Sequence, residues 1–264
     1  MTSDRERLRT TFGSAAELYH QARPDYPEAL YDELIALTGI TAEDTICEIG
    51  PATGKATLPL ARRGFPVTCV ELSASLAAEA ARNLAEFPRV HVVTANAEEW
   101  LRDRSDNPFG MIFAATAWHW LPPDQRYQLA AGVLRPGGHL AFWSAAHTFP
   151  PGSDPFFDDI QRVYEEIGES DNPRQHTLET LPDSRAEIEA SGRFGDVAVR
   201  RFGWEVTYTA DEYIRLLDSF SGHIAMAERK RERLYGEIRR LLAARPDGRL
   251  RRGWGAVLHV ARKR

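Results

Sequence analysis

The chain has 264 residues, enough for one enlarged α/β domain that buries roughly 70–75% of its unfolded surface; 43% are hydrophobic and 27% charged, a balance that excludes global disorder. A formal charge of −5 argues against a general nucleic-acid binder, although residues 226–264 are locally rich in arginine. The opening MTSDRERLRT is charged, and no stretch reaches the roughly 18 continuous apolar residues of a membrane helix, so the chain reads as cytoplasmic with no membrane partner.

Apolar β-rich runs alternate with helical patterns through the first half, as expected for a parallel sheet covered on both faces. Strands are predicted near 45–49, 67–71, 90–94, 110–115 and 138–143, with helices near 56–63, 74–86, 97–103 and 124–133 between them. Cys47 and Cys69 fall inside the first two strands without metal-ligand spacing. They read as buried thiols, and no metal site is expected. After residue 145 the rhythm breaks into a turn-rich HTFPPGSDPFF, a helix near 156–168 and a polar, irregular stretch. VAVRRFGWEVTYT and GWGAVLHVARK then read as two more strands, with helices near 210–218 and 226–243 between them. In the second of these helices Leu234, Ile238, Leu241 and Leu242 share one side, while Arg233 and Glu237 are spaced for an i,i+4 ion pair on the other. That pattern describes a solvated helix face, with an anionic substrate or RNA as the alternative.

The turn GPATGKAT after the first strand carries the chemistry. A phosphate-binding P-loop needs four residues between its glycines and then Lys-Ser/Thr; here three separate Gly50 from Gly54, and Ala56 follows Lys55. The dinucleotide register G-x-G-x-x-G fails as well, because Ala52 and Lys55 stand at its second and third glycines. What remains is Glu48, Gly50, Ala52 and Gly54 at a strand-to-helix turn, with Glu71 closing the second strand. Small residues let a ligand approach the backbone at the carboxyl ends of the strands. Glu48 would repel a pyrophosphate but accept from an ammonium or hydroxyl group, and Glu71 stands where an acid receives both hydroxyls of a ribose. The implied ligand has an adenosine-like ribose, a positive group and no diphosphate.

EIGPATG, Glu71, TANAEEW, FAATAWHWL and LRPGGHL, in this order and spacing, together with the leading FGSAAELYHQARPDYP, resemble the class I S-adenosylmethionine-dependent methyltransferases, in their small-molecule, type 11 branch. The resemblance covers residues 12–145. It implies a doubly wound, Rossmann-like α/β fold with a seven-stranded sheet of order 3-2-1-4-5-7-6, the last strand antiparallel. It also implies a single methyltransferase domain over 1–264, divided into an N-terminal helical lid (1–40), a cofactor-binding half (41–145) and a substrate-shaping half with insertions (146–264). S-adenosyl-L-methionine is the implied cofactor and a small molecule the implied acceptor. The scarcity of lysine, with only Lys55, Lys230 and Lys263 among 33 basic residues, hints at a GC-rich bacterial genome and specialised metabolism.

Carried over by position, Gly50, Ala52 and Gly54 would line the methionine portion of the cofactor, Glu48 would hold its ammonium and Glu71 its ribose. Asn96 and Ala97 would meet the adenine, where the family commonly has Asp-Ala, and Leu72, Glu98 and Thr116 flank these positions. Tyr19 and Arg23 would lie near the cofactor carboxylate, although Arg23-Pro24 also reads as a plain helix stop. Pro59 implies that the first helix begins late, near residue 57. Trp118 and Trp120 would form a pocket wall. His119 would stand beside the methyl donor, either as a structural residue or as the base that takes a proton from the acceptor. His147, His176 and His223 are candidates for the substrate pocket. A cofactor-binding regulator without catalysis, an RNA methyltransferase and a nicotinamide oxidoreductase are the competing readings.

Overall fold

The computed structural model describes residues 22–104, 109–169 and 176–264. In chain order the elements are α1 (Glu28–Thr38), β1 (Ile46–Ile49), α2 (Thr57–Arg62), β2 (Val67–Glu71), α3 (Ala74–Asn83), β3 (Val90–Thr94), α4 (Ala97–Arg102) and β4 (Phe109–Ala115). A 3-10 turn, Trp118–Trp120, leads to α5 (Arg126–Val133), β5 (Leu134–Trp143), β6 (Ala145–Thr148), α6 (Phe156–Glu166), α7 (Arg185–Ala190), β7 (Phe194–Thr209), α8 (Ala210–Asp218), α9 (Ser221–Ala225), α10 (Glu228–Ala243) and β8 (Arg249–Lys263).

One sheet runs β3-β2-β1-β4-β5-β8, with β7 on the far side of β8. The strands from β3 to β5 are parallel, and β8 is antiparallel to both β5 and β7. β6 continues β5 along β8 without a change of register: Phe142 faces His259 and, past Ser144, Ala145 faces Ala256. Counting β5 and β6 as one interrupted strand gives the order 3-2-1-4-5-7-6 with the last strand in the chain antiparallel, as the resemblance implies. β5 begins earlier than expected, because LRPGG is extended and Leu134 pairs with Phe109 before a register break, instead of closing a helix as a turn.

Alternation along the buried strands builds the two layers. Cys47, Ile49, Ile112 and Ala114 face a core completed by α4, α5 and α7, while Ile46, Met111, Phe113 and Trp143 face Leu30, Tyr31, Leu34 and Leu60 of α1 and α2. A third cluster gathers α6, α8 and α10 around Tyr208, Leu250 and Trp254. It is supported by the long β7–β8 ribbon, paired from Phe194 with Lys263 to Thr209 with Arg249. α2 begins at Thr57, so Pro59 sits in its first turn, where a missing N–H costs nothing. Among the described residues no helix is long and apolar enough to cross a membrane.

Candidate functional site

The carboxyl ends of β1, β2 and β4 open onto a cavity of about 270 Å³. Parallel strands all end on this side, where their loops, rather than the packed sheet, face outward. Glu48, Gly50, Ala52, Glu71, Leu72, Ala97, Thr116, His119, Trp120 and Arg23, all singled out in the sequence, line it.

Glu48 is fully buried. Its Oε2 accepts from the Thr57 hydroxyl at 2.5 Å, and its Oε1 has no hydrogen-bond partner. Burial pushes its carboxyl up to about 8, against the Thr57 hydrogen bond and with help from the negative charge of Glu71. Glu71, also buried, accepts the Ala52 amide on Oε2 at 3.0 Å and the Ser73 amide on Oε1 at 2.9 Å. It therefore clamps the turn after β1 to the end of β2. Two residues of this wall hold left-handed backbone without being glycine, Ala52 at φ 52° and Thr116 at φ 54°. Such conformations cost of order 1–3 kcal/mol and cluster at ligand sites.

The two glycines of the turn do different work. A Cβ on Gly50 would meet the Ala117 Cβ at 2.8 Å, so Gly50 lets β1 and β4 close the cavity floor. Gly54 is outside the cavity. A Cβ there would meet Leu84 at 2.8 Å, so its smallness serves packing against the end of α3. Lys55, which gives the turn its P-loop appearance, donates to the Arg23 carbonyl at 2.6 Å and to Asp25 at 2.9 Å, tying the segment before α1 over the turn. Tyr26 in that segment, which the sequence does not single out, lines the cavity and shares a 2.6 Å hydrogen bond with the Thr116 hydroxyl. Arg23 reaches away from the turn: Nε donates to the Ser219 hydroxyl and Nη2 to the Ser219 carbonyl, and the guanidinium lies 4.0 Å from the Phe220 ring centre.

Other expected residues stand elsewhere. Asn96 is the N-cap of α4, its carbonyl oxygen accepting the Glu98 and Glu99 amides, and neither Asn96 nor Glu98 lines the cavity. Trp118 is core: it stacks on Phe142 at 5.2 Å and meets Tyr127 edge-on, while Trp120, on the other side of the short turn, faces the cavity beside His119. His223 lies behind the wall, paired with the Tyr164 hydroxyl at 2.7 Å, and burial lowers its pKa. His147 packs edge-on against Trp254, a cavity residue, at 4.7 Å. The His176 carbonyl accepts the Phe149 amide. Tyr19 lies outside the described residues. Among the described residues no group of three or more His, Cys, Asp or Glu side chains could hold a metal ion.

Residues 46–138, from β1 into β5, match the methyltransferase domain family. An uncharacterized methyltransferase of Mycobacterium tuberculosis is 29% identical over 247 residues, 93% of this chain and 91% of the relative. The malonyl-[acyl-carrier protein] O-methyltransferase of a Marinomonas species is 27% identical over 144 residues, 53% of this chain and 52% of that one. A solved structure from Anaeromyxobacter dehalogenans, assigned to the type II methyltransferases, shares the fold with a TM-score of 0.65 at 24% identity, covering 91% of this chain and 97% of that one. The strand order, the turn after β1 and the matched domain agree: residues 46–138 carry a methyltransferase domain, as the resemblance to the class I S-adenosylmethionine-dependent methyltransferases implies.

Proposed function

We propose that the chain transfers the methyl group of S-adenosyl-L-methionine to a small-molecule acceptor held in the cavity above β1, β2 and β4. One observation carries the reading: Glu48 keeps an unpartnered carboxyl oxygen, fully buried, at the wall of a cavity floored by a glycine turn. A buried polar atom without a partner is costly, and an ammonium donor would supply what Glu48 Oε1 lacks. Glu71, held at the end of β2 by the Ala52 and Ser73 amides, would receive the ribose hydroxyls. Gly50 and Ala52 would present backbone to the methionine portion, and Ala97 and Leu72 would flank the nucleoside. Asn96, engaged as a helix cap, would act through the start of α4 rather than by direct contact.

When bound, the cofactor supplies a methyl group on a cationic sulfur, open to in-line displacement. The chain's own part is to hold the acceptor in line and to keep water out, with the Lys55-anchored segment 23–26 on one side and the cap formed by α6, α8 and α10 on the other. His119, on the turn after β4, would take the acceptor's proton. The division into a lead segment, a cofactor half over 41–145 and a substrate-shaping half over 146–264 is part of the same proposal.

Titration calorimetry tests it. S-adenosylmethionine and S-adenosylhomocysteine should bind, and NAD and ATP should not; the reverse pattern overturns the reading. Glu71→Ala should weaken S-adenosylhomocysteine by about 1–3 kcal/mol. His119→Ala should lower turnover while leaving that affinity near normal, and unchanged turnover would remove His119 as the base.

A further inference from the structure

The cap holds a buried cation with no counter-ion among the described residues. Arg252, near the start of β8, is 6% exposed. Its Nη1 donates to the Tyr213 hydroxyl at 2.9 Å, and its Nε has no hydrogen-bond partner. Rings surround the guanidinium: Tyr213 at 5.1 Å, Trp254 at 5.2 Å, Phe157 at 5.8 Å and Phe220 at 6.0 Å. No carboxylate among the described residues pairs with it, and three acids on the elements packed around it are committed elsewhere. Asp154 is held by Arg245, Asp218 accepts from the Tyr235 hydroxyl, and Glu212 closes the capping box of α8. Burial, and then the like charge of Arg23, hold the pKa of Arg252 well below its usual value.

Arg252 does not itself line the cavity, but its guanidinium packs on a residue that does. Trp254, two residues along β8 and so on the same face of the strand, is part of the cavity wall, and so is Arg23, whose guanidinium lies over the same Phe220 ring that Arg252 approaches. The wall is electrostatically divided: Glu48 and Glu71 at the strand ends suit a cationic ligand, while Arg23 on the wall, with Arg252 behind Trp254, suits an anion. The fork of Arg matches carboxylate and phosphate oxygens, so a buried guanidinium without an acid partner among the described residues suits an anionic ligand.

We propose that the methyl acceptor carries an oxyanion, a carboxylate or a phosphate, received by Arg252 beside Arg23 and Trp254. This rests on the methyl-transfer reading above, and the test separates the two. Protein saturated with S-adenosylhomocysteine is titrated with succinate, with inorganic phosphate and with succinamide as the neutral counterpart, and the same probes are repeated without S-adenosylhomocysteine. Failure of S-adenosylhomocysteine to bind counts against the cofactor reading alone, because the probe series on the free protein still reads Arg252. Binding of succinate but not succinamide points to a carboxylate acceptor, and binding of phosphate points to a phosphorylated one. Arg252→Met should cost the bound anion about tenfold or more in affinity and leave S-adenosylhomocysteine within about twofold, with Arg252→Lys intermediate. If neither anion binds better than succinamide, the proposal falls, and that comparison needs only the wild-type chain should Arg252→Met not fold. Anion affinity undiminished in Arg252→Met also overturns it, as does a loss confined to S-adenosylhomocysteine, which would assign the guanidinium to the cofactor's own carboxylate.

Discussion

Two buried carboxylates separate the cofactor half of the molecule from its cap. Glu48, in the strand-end wall, has one hydroxyl donor, one empty oxygen and a pKa pushed up to about 8. Asp154, in the loop before α6, is satisfied on every side: two Arg245 nitrogens at 2.9 and 2.5 Å, the Arg251 amide at 2.8 Å and the Phe156 amide at 3.0 Å. Burial alone would raise its pKa too, but these donors outweigh it and bring the group down to about 2. Both side chains are acidic and enclosed, and only one has room for a ligand. Burial alone does not mark a site in this protein; among buried ionisable groups, an unmet hydrogen bond at or against the cavity wall does. By the same criterion Arg252, with its orphan Nε, sides with Glu48, while Arg245 sides with Asp154.

Gly50→Val tests the cofactor half most severely. Its side chain would meet Ala117 and would hold a β-branched residue at φ 65°, so strain and overpacking together should destabilise the fold by about 3 kcal/mol or more and abolish S-adenosylhomocysteine binding. Gly54→Ala should also cost stability, through Leu84, yet should leave cofactor affinity close to wild type in whatever fraction is folded. Thermal melting with and without S-adenosylhomocysteine separates the two; equal losses of affinity would mean that the whole turn, not Gly50, shapes the site.

Asp154→Asn comes next, at about 2 kcal/mol, because it removes the charge that unites the loop before α6, the end of α10 and the start of β8. Its sign with pH is opposite to that of Glu48. A depressed carboxyl stabilises the fold above its unfolded pKa, near 3.8, and that stability is lost as pH falls through about 2. A raised carboxyl stabilises the fold below its unfolded pKa, near 4.5, and that stability is lost as pH rises through about 8, with a slope of about 1.4 kcal/mol per pH unit between them. Denaturant unfolding of the ligand-free protein should show both limbs. Glu48→Gln should flatten the alkaline one, and Asp154→Asn the acid one. Since an ammonium beside Glu48 would favour its ionised form, S-adenosylmethionine binding at pH 7 should release up to about one proton in the wild type and none through this group in Glu48→Gln. Calorimetry in buffers of differing ionisation enthalpy measures that release.

The regular half was legible because buried parallel strands read as apolar runs bounded by turns: β2 and β3 lie where the sequence places them, and β1 and β4 differ by one residue at the start. Strand ends then locate Glu48 and Glu71, since position along a strand fixes which loop a residue meets. What pattern cannot reveal is direction and company. Gly50 and Gly54 look alike in EIGPATG, and only the packing of Ala117 and Leu84 tells them apart. Trp118 and Trp120 flank the same histidine, and a single 3-10 turn sends one to the core and the other to the cavity. Arg252 was hidden in an arginine-rich run because Phe157, Tyr213, Phe220 and Trp254 reach it from separate parts of the chain.

The smallest expected effect lies on α10, the most arginine-rich part of the cap and the place where an RNA-binding reading would have to stand. Arg233 pairs with Glu237 at 3.3 Å, as its spacing requires, and also with Glu166; Arg240 pairs with Glu237, Arg239 with Asp211 and Lys230 with Glu169. These bases answer acids of the same chain, unlike Arg252, and exposed pairs of this kind contribute little because solvent screens them. Glu237→Gln should therefore move the melting temperature by no more than about one or two degrees and leave S-adenosylhomocysteine affinity unchanged. Should it instead create tight, steeply salt-dependent binding to a single-stranded RNA probe, the helix would be a nucleic-acid face held in check by its own acids, and the contrast between a paired surface and an unpaired interior would no longer locate the site.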